Sequence, residues 1–321
     1  MCIIHEKPLE KIEEENWFLL IDQATKEKIE NWIKTAVLPV SRQQEAINVL
    51  RSGAYDEVSV SRSKERYNWG VPVPGDDNQI MYVWTDALFN YLSSLEINNQ
   101  SNLWPADIQI IGKDILKFHA IIWPALLLLT GSDLPMKLVV HGFINVDGKK
   151  MSKSLGNVIT PAQLKERYGA EATRYLIFRQ LSFYEDSNFT WEDFDRVYNG
   201  ELANGLGNLV GRIIGIAKGN RSCQLLIKKE DQHFKALSKV EEIDFAEILR
   251  QANKLISQAD QWITANKPWE NEIVDKEIPP ISLLYQALEL IEPFLPDTVA
   301  KIRRQLQELQ AEAVFPRLDT K

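Results

Sequence analysis

The chain has 321 residues, of which 45% are hydrophobic and 26% are charged. These proportions are typical of a globular protein with two or three domains and exclude a disordered or fibrous chain. A net charge of -8 argues against a protein that coats nucleic acid with its whole surface, but it permits a local basic groove.

Two cysteines are too few for a disulfide framework. The longest apolar run, 120–130, is about half as long as a membrane span, and the start of the chain lacks a signal-peptide pattern. We therefore predict a cytoplasmic protein with no membrane partner.

Periodicity and turn residues predict an alternation of strands and helices over the first half of the chain. The alternation is clearest between about 80 and 150, where its order favours a parallel sheet with crossover helices. The predicted elements are helices at 7–37 and 41–51, a strand at 58–61, a loop at 68–78, a strand at 81–84 that runs into a helix to residue 95, a strand at 108–111, a helix at 113–130 and a strand at 138–146.

Beyond Glu192 the pattern is helical almost to the end of the chain, with helices predicted at 195–219, 244–265 and 281–309. The predicted fold class is therefore α/β followed by all-α, in which a parallel sheet unit precedes a helical bundle.

A basic loop follows the predicted strand at 138–146. Its sequence, from Gly148 to Asn157, is GKKMSKSLGN. Lysine ammonium groups suit phosphate, and flanking glycines let backbone N–H groups approach it. Such a loop can stabilise charge that develops on a triphosphate as pyrophosphate leaves. For an arbitrary lysine-rich loop, the alternative is a solvated basic turn.

Residues 150–154 of this loop read KMSKS, the signature of the class I aminoacyl-tRNA synthetases, and they follow His141-Gly142-Phe143 at a predicted strand end. Further blocks narrow the resemblance to the methionyl-tRNA synthetases. These blocks are WGVPVPGD at 69–76, YVWTDALFNY at 82–91, IGKDILKFH at 111–119, WP at 123–124, YGAEA at 168–172, the run 199–212 and VFPR at 314–317. The resemblance covers essentially the whole chain.

For the basic loop, the resemblance implies that Lys150 and Lys153 are catalytic and that the pair His141-Gly142 holds the adenine and ribose side of ATP. Met151, Ser152 and Ser154 complete the implied ATP-binding set. Mg²⁺ is expected to accompany ATP, although no residue identifies a site for it.

Two helical faces carry the residues that, by the resemblance, bind the methionine substrate. Both faces have helical spacing, and together they would enclose an apolar slot with one imidazole, which suits a flexible thioether. The alternative is that these residues are ordinary core. The first face consists of Trp84, Leu88 and Tyr91, and the second of Ile115, His119 and Trp123.

A third face, in the helix predicted at 195–219, carries Asn204, Asn208 and Arg212. Two amides and a guanidinium on one face can bind the edges of unstacked bases, and Trp269 could offer a ring for stacking. The resemblance implies that these four residues recognise the CAU anticodon of a methionine-specific tRNA. The alternatives are a solvated polar face and a half-buried core ring.

The resemblance also implies a domain organisation in which residues 1–68 are part of a connective-peptide region. The second half of a Rossmann-type catalytic domain then occupies 69–158, a stem-contact or linker region 159–194, and an anticodon-binding bundle 195–321.

Two departures from the family pattern stand out. The tetrapeptide HIGH does not occur, so we expect a C-terminal portion of the enzyme. Three alternatives remain open for it: half of a split enzyme whose partner is a separate N-terminal half-enzyme chain, a truncated gene product, or an excised segment. Cys2 and His5 resemble half of a zinc knuckle, and two ligands cannot complete a tetrahedral site, so no zinc is expected in this chain alone. A non-catalytic tRNA-binding module and a decayed fragment without a stable fold remain alternative hypotheses.

Overall fold

A computed structural model describes Pro8 and residues 13–152, 156–235, 244–269 and 278–318. The chain divides into two compact units, Met1–His141 and Gly142–Lys321. The predicted limits at 68, 158 and 194 stay predictions, and the division of the structure falls inside the stretch predicted as one domain, 69–158. Within the described residues, no helix has the length and apolar character needed to cross a membrane.

The first unit combines short strands with four α-helices over its described residues. Its elements in chain order are β1 (Phe18–Leu20), α1 (Gln23–Ala36), β2 (Val37–Leu38), α2 (Val40–Arg51), β3 (Glu57–Ser59), β4 (Ser61–Ser63), β5 (Pro72–Val73), β6 (Asp76–Met81), α3 (Val83–Ile97), a 3-10 turn (Ser101–Leu103), β7 (Gln109–Gly112), a 3-10 turn (Lys113–Ile115), a π-helical segment (Phe118–Ile122), α4 (Trp123–Thr130) and β8 (Leu138–His141).

A parallel sheet with the strand order β2-β8-β7 lies at the centre of this unit. Val37 pairs with Leu138, and Ile111 pairs with Val140. All four side chains are buried, as expected for a sheet that is covered on both faces. The parallel arrangement predicted for 80–150 is therefore confirmed for its second and third strands.

The first strand predicted for that sheet is wrong. The strand ends at Met81, where it was predicted to begin, and it pairs antiparallel with β4 and β5. A tight turn at Gly75, with φ +80°, folds β5 back onto β6. The polar run Asp76–Gln79 concealed this strand, because a hairpin with one solvated face carries few apolar residues. The third parallel strand is instead β2, which the sequence pattern placed at the end of a helix.

The helix predicted at 113–130 is also not uniform. A 3-10 turn and the π-helical segment precede α4, which begins at Trp123 with Pro124 in its first turn. Proline is tolerated there because the first N–H groups of a helix have no partner within the helix.

The second unit is mostly helical. Its elements are β9 (Ile144–Val146), β10 (Lys149–Lys150), α5 (Pro161–Tyr168), α6 (Ala170–Gln180), β11 (Ser187–Phe189), α7 (Trp191–Val197), a second π-helical segment (Tyr198–Gly207), α8 (Asn208–Lys218), α9 (Arg221–His233), α10 (Phe245–Asn266), α11 (Pro279–Ile291) and α12 (Pro296–Glu308).

A small mixed sheet, with the order β10-β9-β11, opens this unit. The single strand predicted at 138–146 is thus two strands in two sheets. The chain leaves the first sheet after His141, because the N–H of Gly142 donates to the carbonyl of Phe183 and the N–H of Phe143 donates to Asp186.

The helices pack around one apolar core, to which α10 contributes Leu249, Ala252, Ala259 and Ile263. The helix predicted at 281–309 divides in two, because α11 ends at Ile291 and α12 begins at Pro296. The carboxylate of Glu171 accepts hydrogen bonds from the first N–H groups of α12, at Asp297 and Thr298.

Candidate functional site

The aromatic residues of α3 meet the π-helical segment Phe118–Ile122 in the first unit. The ring of Trp84 stacks on that of Phe118, with centroids 4.1 Å apart and planes 15° from parallel. The indole also lies edge-on to the imidazole of His119 at 6.5 Å. We call Trp84, Tyr91, Phe118 and His119 the aromatic slot. Sequence spacing missed Phe118, because only positions 115, 119 and 123 were assigned to that face.

His119 is only 3% exposed, and both ring nitrogens have partners. Nδ1 lies 3.1 Å from the carbonyl oxygen of Ile115, which can only accept, so Nδ1 carries the proton. Nε2 of the neutral ring then accepts from the hydroxyl of Tyr91 at 3.0 Å. Burial lowers the pKa of His119, and the bond to Ile115 opposes this shift only in part. The imidazole is therefore neutral at pH 7.

Three further residues were predicted to line the slot: Leu88, Ile115 and Trp123. Trp123 is fully buried, with its ring 6.0 Å from that of Tyr91, and Leu88 is 1% exposed. Both positions agree with the alternative of ordinary core. Ile115 contributes its carbonyl oxygen, which fixes the tautomer of His119.

In the second unit, the basic loop begins as a hairpin. Lys149 pairs with Val146, and the turn between them places Asp147 and Gly148 at φ +50° and +74°. The N–H of Gly148 donates to the side chain of Asn188 over 2.6 Å. Gly148 and Asn188 thus anchor the hairpin to β11.

Asn157 braces the other end of the loop. Its side-chain oxygen accepts from the N–H of Ser152 at 2.9 Å, and its amide nitrogen donates to the carbonyl of Lys150 at 3.2 Å. The ammonium of Lys150 lies 5.0 Å from the ring centroid of Phe143. Met151 packs against the helical core, which gives it a structural role. Two predicted site residues, Lys153 and Ser154, lie outside the described residues.

The predicted pair His141-Gly142 straddles the boundary between the two units. His141 ends β8, and its ring lies 3.6 Å from where a β-carbon at Gly112 would stand. Gly142 has a strict steric requirement, because a β-carbon there would overlap the carbonyl of Glu185. The glycine therefore allows the close approach of the segment from Phe183 to Asp186.

The third predicted face lies on the second π-helical segment and α8. Asn204 and Asn208 are exposed. The guanidinium of Arg212 donates to the carboxylate of Asp260 and, over 3.1 Å, to the hydroxyl of Thr264. It also lies 6.0 Å from the ring centroid of Trp269, which is 60% exposed. Sequence reasoning missed the two α10 partners, since they follow Arg212 by about 50 residues.

The described residues contain no group of three or more His, Cys, Asp or Glu side chains placed to hold a metal ion. The two residues of the predicted zinc half-site, Cys2 and His5, lie outside the described part of the chain. The expectation of no zinc stays a prediction.

The family model of tRNA synthetases class I (M) matches residues 1–214. The chain belongs to this family. The identification agrees with the KMSKS signature and the ordered blocks in the sequence.

Individual members of the family resemble the chain over most of its length. The methionine–tRNA ligase of Streptomyces coelicolor is 35% identical over 337 residues, which cover 94% of this chain and 61% of that protein. The chloroplastic/mitochondrial methionine–tRNA ligase of Arabidopsis thaliana is 40% identical over 236 residues, 70% of this chain and 38% of that protein. The chain thus spans 61% or less of these two curated relatives.

A solved structure shares the fold. The crystal structure of Mycobacterium tuberculosis methionyl-tRNA synthetase bound by methionyl-adenylate has a TM-score of 0.74 and 27% sequence identity to this chain. The match covers 98% of this chain and 71% of that one.

The buried imidazole of this family member predicts a pH dependence of stability. The pKa of His119 is lower in the folded chain than its unfolded value of about 6.5. The unfolded state therefore takes up more protons as the pH falls through that window, so His119 lowers the free energy of unfolding below about pH 6.5. We expect His119→Gln to make the decline between pH 6.5 and 5 shallower.

Chemical denaturation at a series of pH values measures this difference, and nitrogen NMR of the ring identifies the tautomer. An Nε2-protonated ring, or a His119 that titrates above 6.5, would contradict the assignment.

Proposed function

We propose that the chain carries out methionine–tRNA ligase chemistry. A carboxylate oxygen of methionine attacks the α-phosphorus of ATP, and pyrophosphate leaves. A hydroxyl of the terminal ribose of tRNA then attacks the carbonyl carbon of the methionyl-adenylate, and AMP leaves. The observation that carries the proposal is the aromatic slot with its neutral imidazole, in a member of this synthetase family.

The slot suits the methionine side chain for two reasons. Sulfur makes favourable contacts with aromatic rings, and those of Trp84 and Phe118 are stacked side by side. The polar atoms of Tyr91 and His119 bond to each other, so an uncharged thioether leaves no buried polar group without a partner. A charged side chain would lose its hydration among these rings.

The basic loop is proposed to bind the phosphates of ATP, which brings Mg²⁺ with it as part of the substrate. Lys150 and Lys153 would stabilise the charge on the departing pyrophosphate. Ser152 and Ser154 are proposed to contribute to the phosphate site, and His141-Gly142 would hold the nucleoside. The brace by Asn157 supports this role, because it limits the conformations of a loop that must meet a fixed phosphate geometry.

The proposed tRNA contact is the face of Asn204, Asn208 and Arg212 together with Trp269. Exposed amides can pair with base edges, and the exposed indole can stack on a base. A CAU anticodon is the proposed ligand. In this reading, 195–321 is an anticodon-binding bundle and the parallel sheet is the second half of a Rossmann-type sheet.

The sequence HIGH is not among the 321 residues. We propose that a further segment, supplied as a separate N-terminal half-enzyme chain, completes the ATP site. Cytoplasmic placement remains a prediction from the sequence.

The first test is methionine-dependent ATP–pyrophosphate exchange. It uses the chain alone and the chain mixed with candidate upstream segments from the same source. We expect exchange in the mixture, and Lys150→Ala should lower its rate about a hundredfold. Lys149→Ala is the matched control, because neighbouring residues of a strand point to opposite faces. Its rate should stay within about threefold of the unmodified chain.

Equal rates for the two lysine variants would contradict the role of Lys150. Exchange by the chain alone would show that these residues suffice. If no mixture shows exchange while the chain still binds tRNA, the result would favour the non-catalytic tRNA-binding module.

The second test concerns the anticodon face. Trp269→Ala should weaken binding of a CAU-anticodon tRNA about tenfold at fixed salt, because loss of a stacking ring removes a contact to one base. Asn208→Ala should also weaken it, whereas Trp17→Ala, which removes another exposed indole, should not. Filter binding measures the affinities. Equal affinity for a tRNA with a changed anticodon would refute the assignment of this face.

A further inference from the structure

The face formed by Asn204, Asn208 and Arg212 does not lie on one regular α-helix. Asn204 belongs to the π-helical segment Tyr198–Gly207, whereas Asn208 and Arg212 belong to α8. A π-helix turns by roughly 80° per residue and an α-helix by about 100°. The relative orientation of these side chains therefore depends on where the helix changes from one form to the other.

The change of helix type brings the two ends of this face into line. From Asn204 to Asn208, four π-helical steps fall about 40° short of a full turn, and from Asn208 to Arg212, four α-helical steps exceed a full turn by about 40°. The two offsets nearly cancel, so Asn204 and Arg212 lie on the same side of the helix. In an uninterrupted α-helix the offsets would add, and Arg212 would be rotated by about 80° from Asn204.

Two glycines of the segment permit its π-helical form. A β-carbon at Gly205 would lie 3.2 Å from the carbonyl oxygen of Gly200, and a β-carbon at Gly207 would lie 3.2 Å from that of Leu202. In each pair the carbonyl precedes the glycine by five residues, which is the hydrogen-bond spacing of a π-helix. A side chain at either glycine would crowd that carbonyl, so alanine there favours the α-helical form.

A hydrogen-bond network joins the segment to α6 and α10. Oε1 of Glu201, within the segment, accepts from Nη2 of Arg179 at 2.7 Å. Oε2 accepts from the hydroxyl of Tyr175 at 2.7 Å and from the side-chain amide of Asn253 at 3.0 Å. Tyr175 is 1% exposed, and burial raises its pKa, so its hydroxyl stays a donor. We call these four residues the Glu201 network.

Helix α10 holds both sides of the change in helix type. Asn253 donates to Glu201 in the π-helical segment, and Asp260 accepts from Arg212 in α8. Asn253 and Asp260 are seven residues apart, about two turns of an α-helix, so both lie on one face of α10. One helix therefore sets the rotation of the segment relative to α8.

We propose that the Glu201 network positions Asn204 for RNA recognition. It holds residues 198–207 in the π-helical form and thereby keeps Asn204 and Arg212 on one side of the helix. The ligand is a single-stranded RNA loop, whose unstacked bases meet an amide and a guanidinium that lie side by side. The inference rests on the proposed function, since it concerns the face assigned there to the anticodon. Glu201 and Gly205 act through Asn204 and contact no base.

The test is fluorescence anisotropy of labelled anticodon stem-loop RNAs, titrated with the full chain at fixed salt. One stem-loop carries CAU, and a second carries a changed anticodon. The unmodified chain should bind the CAU loop at least about tenfold more tightly than the other, and Gly205→Ala should reduce this ratio to about threefold or less. A loss of folded protein would weaken both affinities equally and leave the ratio unchanged.

Gly215→Ala is the matched control. It also replaces a glycine by alanine, but it lies in α8, where a β-carbon would meet no atom within 4 Å. Its ratio should stay within about twofold of that of the unmodified chain. An unchanged ratio in Gly205→Ala, or equal losses in the two glycine variants, would overturn the proposal.

A second arm changes the network itself. Glu201→Ala should lower the ratio as Gly205→Ala does. Glu201→Gln should retain most of it, because the amide oxygen can still accept from Tyr175 and Asn253. Equal ratios for Glu201→Ala and the unmodified chain would contradict the positioning role. If Glu201→Ala does not fold, the two glycine variants decide the question, because neither removes a hydrogen-bonding side chain.

The unmodified chain separates this inference from the function on which it rests. If it distinguishes the two stem-loops, and Gly205→Ala and Glu201→Ala distinguish them equally well, only the positioning role is overturned. If the unmodified chain binds both stem-loops equally, the anticodon assignment fails, and the positioning role fails with it.

Discussion

The geometry of the aromatic slot depends on the two hydrogen bonds of the buried His119. The bond to Ile115 fixes which nitrogen is protonated, and that choice makes Nε2 an acceptor for Tyr91. One neutral ring thereby connects α3 to the π-helical segment Phe118–Ile122. A protonated imidazole would carry its charge without hydration, and for that reason burial lowers the pKa of His119 even though the carbonyl of Ile115 would accept a hydrogen bond from the charged ring.

In the other two candidate sites, hydrogen bonds from neighbouring residues also hold the functional group in place. Asn157 bonds to the backbone on both sides of Met151 and so braces a cationic loop. Asp260 and Thr264 hold the guanidinium of Arg212 beside an exposed indole. The sequence analysis did not single out Asn157, Asp260 or Thr264, yet these residues restrict the motion of the basic loop and of Arg212. Less conformational entropy is therefore lost when a ligand binds.

The sequence predicted the features that depend on local pattern. Helix α10 was predicted within one residue of its bounds, because Asp244 caps it and its apolar face repeats regularly. Features that depend on distant partners were missed. The strand Asp76–Met81 forms because it pairs with its neighbours in a hairpin. The partners of Arg212 follow it by about 50 residues along the chain. Phe118 was missed because its contact with Trp84 depends on where α3 packs, which the spacing within one segment does not give.

The central claim is that the aromatic slot binds the side chain of methionine while His119 stays neutral. Isothermal titration of the chain with methionine and with leucine, at pH 7 and in buffers of different ionisation enthalpy, tests it most directly. Methionine should bind at least about tenfold more tightly than leucine, and Trp84→Ala should weaken its binding. The imidazole should take up no proton. Equal affinity for the two amino acids, or uptake of one proton that His119→Gln abolishes, would contradict the claim.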